Sequence, residues 1–110
     1  MFDLDRFLKA QDAGTPSQFD TALTELRTGF KQSHWMWFVL PQLRGLGHSH
    51  QAHFYGISDI AEARAYAAHP ILGSRLLETI SVITTRKITG HGWRDCLPRA
   101  CRVFEYICNR

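Results

Sequence analysis

Apolar residues recur along most of this chain at the three- and four-residue spacing of a helix. Near the start, Leu4, Phe7 and Leu8 share one face. Asp3 is the expected N-cap there, and Ala13-Gly14 the expected end. Thr15-Pro16-Ser17-Gln18 then reads as a second helix start. Thr15 caps, Pro16 takes the first helical position, and Gln18 stands where a capping box places Glu or Gln. The face that follows is Phe19, Ala22, Leu23, Leu26 and Phe30, with Gly29 as the stop. Further on, Asp59 caps an alanine-rich helix over 60–68, with Glu62 at the box position. Its small side chains permit close packing against a neighbour. His69-Pro70 closes that helix, and Pro70 opens the next one. There the stripe is Leu72, Leu76, Ile80 and Ile83, widened by Leu77, and the β-branched run near Thr84 weakens its end. Alternating strand patterns are nearly absent.

The densest stretch is KQSHWMWFVLPQLRGLG, residues 31–47. Its apolar run, Trp35 to Leu40, is far shorter than the about 20 apolar residues a membrane span requires. It is apolar on every side, so periodicity does not distinguish strand from buried helix. Pro41 removes an amide donor and restricts Leu40, which favours a short buried helix stopping near Leu40. Arg44-Gly45-Leu46-Gly47 reads as a glycine-dependent turn. The two indoles, each able to bury about 150–250 Å², make this segment the expected hub of the core.

Residues 52–57 are ambiguous and favour a short helical turn around His53-Phe54-Tyr55. After Thr85 the pattern degrades. Gly90-His91-Gly92 reads as a loop, and a last helix can begin near Cys96-Leu97-Pro98. Cys101, Phe104, Ile107 and Cys108 would lie on its inner face. Together these elements predict one all-α domain over residues 1–110, an irregular bundle of about five helices around the tryptophan-rich middle.

Composition sharpens this in three ways. The chain has 110 residues, 45% hydrophobic and 21% charged, which is the balance of a globular domain. Its net charge of +3 comes from scattered basic residues, not the clustered stripe of a nucleic-acid interface. The three cysteines form neither an even set nor a C-x-x-C, which argues against a disulfide framework or zinc ribbon. No basic start followed by an apolar core marks a signal peptide, so the expected compartment is the cytoplasm.

The chain resembles a bacterial family known as domain of unknown function 1810, whose members are often labelled calpastatin. The resemblance rests on Leu4, Arg6-Phe7 and Gln11, on Phe19 through Leu26, and on Lys31 with Ser33-His34-Trp35-Met36-Trp37. It continues through Pro41-Gln42, Gly45-Leu46-Gly47, Tyr55, Ile57 and Glu62-Ala63-Arg64-Ala65-Tyr66 to Arg75-Leu76. It implies a mainly helical fold. It implies no established activity, and so transfers no catalytic residue. The calpastatin label carries little, because animal calpastatin is a disordered inhibitor and this composition is globular. Over 86–110 the family's D-D-L-K-like stretch survives only as a shortened echo at Gly92-Trp93-Arg94-Asp95. The tail is short and divergent, and an apolar patch left uncovered there could pair two chains as a homodimer.

The candidate chemistry gathers on the central segment. His34, Trp35, Gln42, Arg44 and Tyr55 are the expected ligand-binding residues. His34 beside an aromatic run could exchange protons near neutral pH, or simply hydrogen-bond the backbone. Trp35 and Trp37 lie two apart and so do not share a helical face: one can be core while the other lines a cleft. Trp35, Trp37 and Tyr55 could also stack a base, nicotinamide or sugar. Arg44 could hold an anion. His48, His50 and His53 form H-x-H-x-x-H, but no nearby thiolate or carboxylate completes a metal set. No G-x-G-x-x-G, Walker or nucleophile-elbow motif is present, so no metal or cofactor is expected.

Three functions remain in view. The first is a small binding domain for an anionic or nucleotide-like ligand. The second is an enzyme using His34 as acid–base and Arg44 as anion anchor. The third is a structural or protein-interaction module. Membrane insertion is not expected under any of them.

Overall fold

A computed structural model describes residues 2–42, 44, 49–85 and 88–90. The expected Gly45–Gly47 turn, His48, and the last helix with Cys96, Cys101 and Cys108 lie outside the described residues. Six helices and one pair of short strands are described: α1 Asp5–Asp12, α2 Gln18–Thr28, β1 Phe30–Lys31, α3 Met36–Val39, α4 His50–Phe54, α5 Ile60–Ala68, α6 Pro70–Thr85 and β2 Thr89–Gly90. The protein is an irregular, almost wholly helical bundle. Helix α1 packs on α2 and α3, α2 packs on α6, and α6 packs on α5.

The helix boundaries follow from local chemistry, with two corrections to the expected caps. Leu4, not Asp3, is the N-cap of α1, and no side chain bonds there. The Asp3 backbone oxygen instead accepts from Arg6 Nη1. Ser17, not Thr15, caps α2, its Oγ accepting from the Asp20 amide at 3.1 Å. Gln18 is thus the first helical residue, and Pro16 lies outside the helix. Gly29 ends α2 at φ +84°, a left-handed conformation that costs a residue without Cβ little. That turn breaks the helical phase. Phe30 therefore leaves the α2 stripe, enters β1 and is 51% exposed. The β1–β2 pairing is parallel, with Phe30 opposite Thr89 and Lys31 opposite Gly90.

The Asp59 cap forms as expected, Oδ1 accepting from the Glu62 amide at 2.9 Å. Glu62 reaches back one residue further than a capping box requires, accepting from the Ser58 amide at 2.7 Å and the Ser58 hydroxyl at 3.0 Å. His69 Nδ1 accepts from the amides of Ile71 and Leu72, which does for α6 what a capping oxygen usually does. Along α6, Leu72, Leu76 and Thr79 are buried, and Ile80 and Ile83 are half-buried. Leu77 does not widen the stripe. One residue past Leu76 it has rotated about 100° away, and it is 70% exposed.

One apolar cluster unites the bundle. It includes Phe7, Phe19, Leu23, Leu26, Trp35, Phe38, Tyr66 and Leu72. Phe7 meets the Tyr66 ring edge-on at 5.0 Å between centroids. A polar thread crosses this core. Gln11 Nε2 donates to the Phe38 carbonyl at 2.8 Å and to the Tyr66 hydroxyl at 3.2 Å. Gln11 Oε1 accepts from Arg75 Nη1 at 3.0 Å, and Arg75 also bonds Asp12. One glutamine therefore ties α1 to α3, α5 and α6. Left unpaired, its amide would cost about 1–3 kcal/mol.

Candidate functional site

The tryptophan-rich segment is fixed from beneath by a buried carboxylate. Glu25 projects from α2 and is 9% exposed. Its Oε1 accepts from the amides of Gln32 (2.8 Å) and Ser33 (2.9 Å) and from the Trp35 indole N–H (2.9 Å). Its Oε2 accepts from the Ser33 hydroxyl at 2.5 Å. Burial alone would raise the pKa of this acid. The four hydrogen bonds, that from the Ser33 hydroxyl foremost, outweigh it and hold the carboxyl below its ordinary range. Lys31 is fully buried beside it, donating to the Ser33 carbonyl and lying 5.0 Å over the Trp35 ring. Trp35 is fully buried, so its ring presents no face to a ligand from outside. Trp37 is only half-buried, against the edge of the core. His34 is exposed.

The other three expected ligand-binding residues meet on a different edge of the molecule. Pro41-Gln42 runs alongside the link from α4 to α5. The Ile57 amide donates to the Gln42 carbonyl at 2.8 Å, and the Arg44 amide donates to the Ile57 carbonyl at 2.9 Å. Gln42 itself is buried, its Nε2 donating to the Met36 carbonyl at 2.8 Å. Tyr55 is half-buried, packing against Phe38 (5.3 Å) and edge-on to Phe54 (4.8 Å). Gly56 makes the junction feasible. A Cβ on it would stand 2.7 Å from Arg44 Cα and Cβ and from the Ala52 carbonyl oxygen, closer than real Cβ atoms approach.

Two adjoining grooves open at this junction. The first, about 370 Å³, lies between Arg44, His53 and Phe54 on one side and Phe2, Asp3 and Arg6 on the other, with Ser58 and Glu62 completing its wall. Arg6 is a clamp in this wall. Its Nε donates to the Phe54 carbonyl at 2.8 Å. Its Nη2 donates to the Gly56 carbonyl at 3.2 Å and pairs with Glu62 at 3.0 Å, with both side chains under a tenth exposed. Breaking such a buried pair by removing one partner leaves an uncompensated charge. Arg44 is exposed, and among the described residues only its Nε is engaged, donating to the His53 carbonyl at 3.2 Å. That bond aims the guanidinium while Nη1 and Nη2 keep their donors free of partners among the described residues. The second groove, about 360 Å³, shares Asp3, Arg6 and Phe54 with the first and adds Lys9, Ala10 and Tyr55.

Arg44 thus lines the first groove and Tyr55 the second, while Gln42, His34 and Trp35 line neither, and Gln42 and Trp35 are buried. Sequence reasoning missed Arg6, His53, Ser58 and Glu62 as neighbours of Arg44. Arg6 and Glu62 were visible within the resemblance, and their pairing across 56 positions was not. Among the described residues, no three His, Cys, Asp or Glu side chains cluster as metal ligands: His50 stacks on Phe54 and His53 faces the first groove.

These grooves sit on a family fold with no assigned chemistry. The family model described as "Protein of unknown function (DUF1810)" matches residues 1–94, and the chain belongs to that family. The match reaches Gly92-Trp93-Arg94, past the point where the resemblance first weakens. The chain is similar to the conserved hypothetical protein Rv1873 from Mycobacterium tuberculosis, known from a crystal structure. The two are 39% identical, with a TM-score of 0.77 over 98% of this chain and 76% of that one. No curated protein matches. No described helix is long and apolar enough to cross a membrane.

Proposed function

We propose that this protein is a small cytoplasmic binding domain for an anionic, nucleotide-like small molecule, held in the groove at Arg44. The observation that supports this is the state of the Arg44 guanidinium. One edge is anchored on the His53 carbonyl and the other offers two nitrogens without partners among the described residues, beside a 370 Å³ groove. A planar fork in that posture matches the two oxygens of a carboxylate or phosphate. The His53 ring and the Arg6 clamp border the same space, and the exposed rings of Phe2 and Phe54 give it an apolar rim. The lining is thus mostly polar and charged, with the two phenylalanine rings as its apolar part, which suits a polar, anionic ligand better than an apolar one.

The enzyme reading, with His34 as acid–base and Arg44 as anchor, needs both residues on one cavity. It has weaker support because His34 lines neither groove. Thermal melts with inorganic phosphate and with succinate test the binding reading, since a ligand selective for the folded state raises its melting temperature. A rise with at least one of them, lost in Arg44→Ala, is the expected result. No rise with either, or an equal rise in Arg44→Ala, overturns it.

A further inference from the structure

The second groove has no role in the anion site as described so far, yet it is built from the same wall. Asp3, Arg6 and Phe54 border both spaces, so the two grooves meet at the Phe54 ring, which is 45% exposed. Beyond that ring the lining changes character. Phe54 and Tyr55 stand perpendicular, with an interplanar angle of 89°, and form an aromatic corner. Ala10 leaves room opposite them, and exposed Lys9 borders the same space. Lys9 follows Arg6 by three positions on α1, so the two side chains lie on one helical face, with Lys9 one turn further along. Lys9 has no ion-pair or hydrogen-bond partner among the described residues.

We infer that the two grooves are lobes of one ligand site, and that its ligand is a monophosphate carrying a planar ring. The inference rests on the anion reading above and extends it. Phosphate sits at Arg44. The ring lies in the corner of Phe54 and Tyr55, where every planar base has a face to stack and where the Lys9 ammonium can approach it. Asp3 borders both lobes, and in this arrangement its carboxylate accepts from hydroxyls of the sugar joining the two ends. A second phosphate, lying between the one at Arg44 and the sugar, comes up against Asp3, which borders both lobes. The site therefore favours a monophosphate over a diphosphate.

Titration calorimetry of the intact chain with inorganic phosphate, ribose 5-phosphate, AMP and ADP tests this. The expected order is AMP tighter than inorganic phosphate by at least about tenfold, ribose 5-phosphate between them, and ADP no tighter than AMP. Phe54→Ala and Lys9→Ala alter exposed side chains, and circular dichroism checks that each stays folded. Lys9→Ala is expected to remove most of the AMP advantage while leaving phosphate binding unchanged, and Phe54→Ala, which removes a ring bordering both lobes, to lower AMP affinity by more than it lowers phosphate affinity. If phosphate binds through Arg44 but AMP binds no tighter, the second lobe is overturned and the anion reading stands. An AMP advantage that survives both variants places the ring elsewhere and also overturns the inference. If none of the four ligands binds, this inference is overturned, and the anion reading stands or falls with the succinate melt.

Discussion

Glu25 and Arg44 are both charged side chains set among aromatic rings, and the protein uses them in opposite ways. Glu25 is buried and saturated: it accepts four hydrogen bonds, one of them from the Trp35 indole. Arg44 is exposed and half-engaged, one nitrogen on a carbonyl and two without partners among the described residues. A saturated, buried charge has nothing left to offer a ligand and serves the fold. A charge that is aimed but unsatisfied is ready for recognition. The contrast separates the densest part of the sequence, which is core, from a sparser part that carries the candidate site.

The comparison can be broken at several points. The largest effect is expected at Trp35, where truncation to alanine empties a fully buried site and strips a donor from Glu25. Trp35→Ala is expected to cost about 3–5 kcal/mol in a urea melt. Trp37, only half-buried, should cost clearly less, although the two tryptophans look equivalent in the sequence. Leu76→Ala, in the buried stripe of α6, is expected to cost about 2–5 kcal/mol.

Next comes Glu25→Gln, which keeps the shape but turns part of an acceptor into a donor facing donors. A loss of about 1–3 kcal/mol is expected. The same carboxylate predicts a pH dependence. Its folded pKa lies below the ordinary value of 4.5, so near and below that value the unfolded chain takes up the proton more readily. Its contribution is complete well above pH 4.5 and is lost as pH falls through the folded pKa. Melts between pH 7 and pH 3 should therefore decline at the acid end, and Glu25→Gln should decline less. Equal acid sensitivity in the two proteins would mean that Glu25 is not the saturated hub described here.

Gly56→Ala sharpens the other side. Its Cβ must displace Arg44 or the Ala52 carbonyl, an overpacking expected to cost about 1–3 kcal/mol and to weaken anion binding. The smallest effect on stability is expected at Arg44 itself. Arg44→Ala should leave the urea midpoint within about 0.5 kcal/mol while abolishing the phosphate-dependent melting shift. A large stability loss there would show that Arg44 serves the fold, as Glu25 does, and would erase the contrast.

Much of this was legible in the chain, because it depends on neighbours in sequence. The Gly29 stop, the Asp59 cap and the Pro70 start are contacts within one or two turns and form as the residues suggest, and so do the 3.6-residue stripes apart from Phe30 and Leu77. Short-range reading failed where a neighbouring element chose between equivalent options. Leu77 and Ile80 are equally apolar, but α6 can turn only one face toward α2 and α5. Asp3 and Thr15 could each have capped a helix, yet Leu4 and Ser17 occupy those positions.

The sequence by itself determined that this is a helical domain with a tryptophan-centred core, because hydrophobic periodicity, caps and breakers act over a few residues. Only the tertiary structure decided which polar residues were consumed by that core and which were left facing solvent. Glu25 finds Trp35 ten residues on, Arg6 finds Glu62 across 56, and Arg44 packs against a glycine twelve residues away where a Cβ would not fit. Satisfaction of a charge depends on everything packed around it, and that sum is not written in any local stretch of the chain.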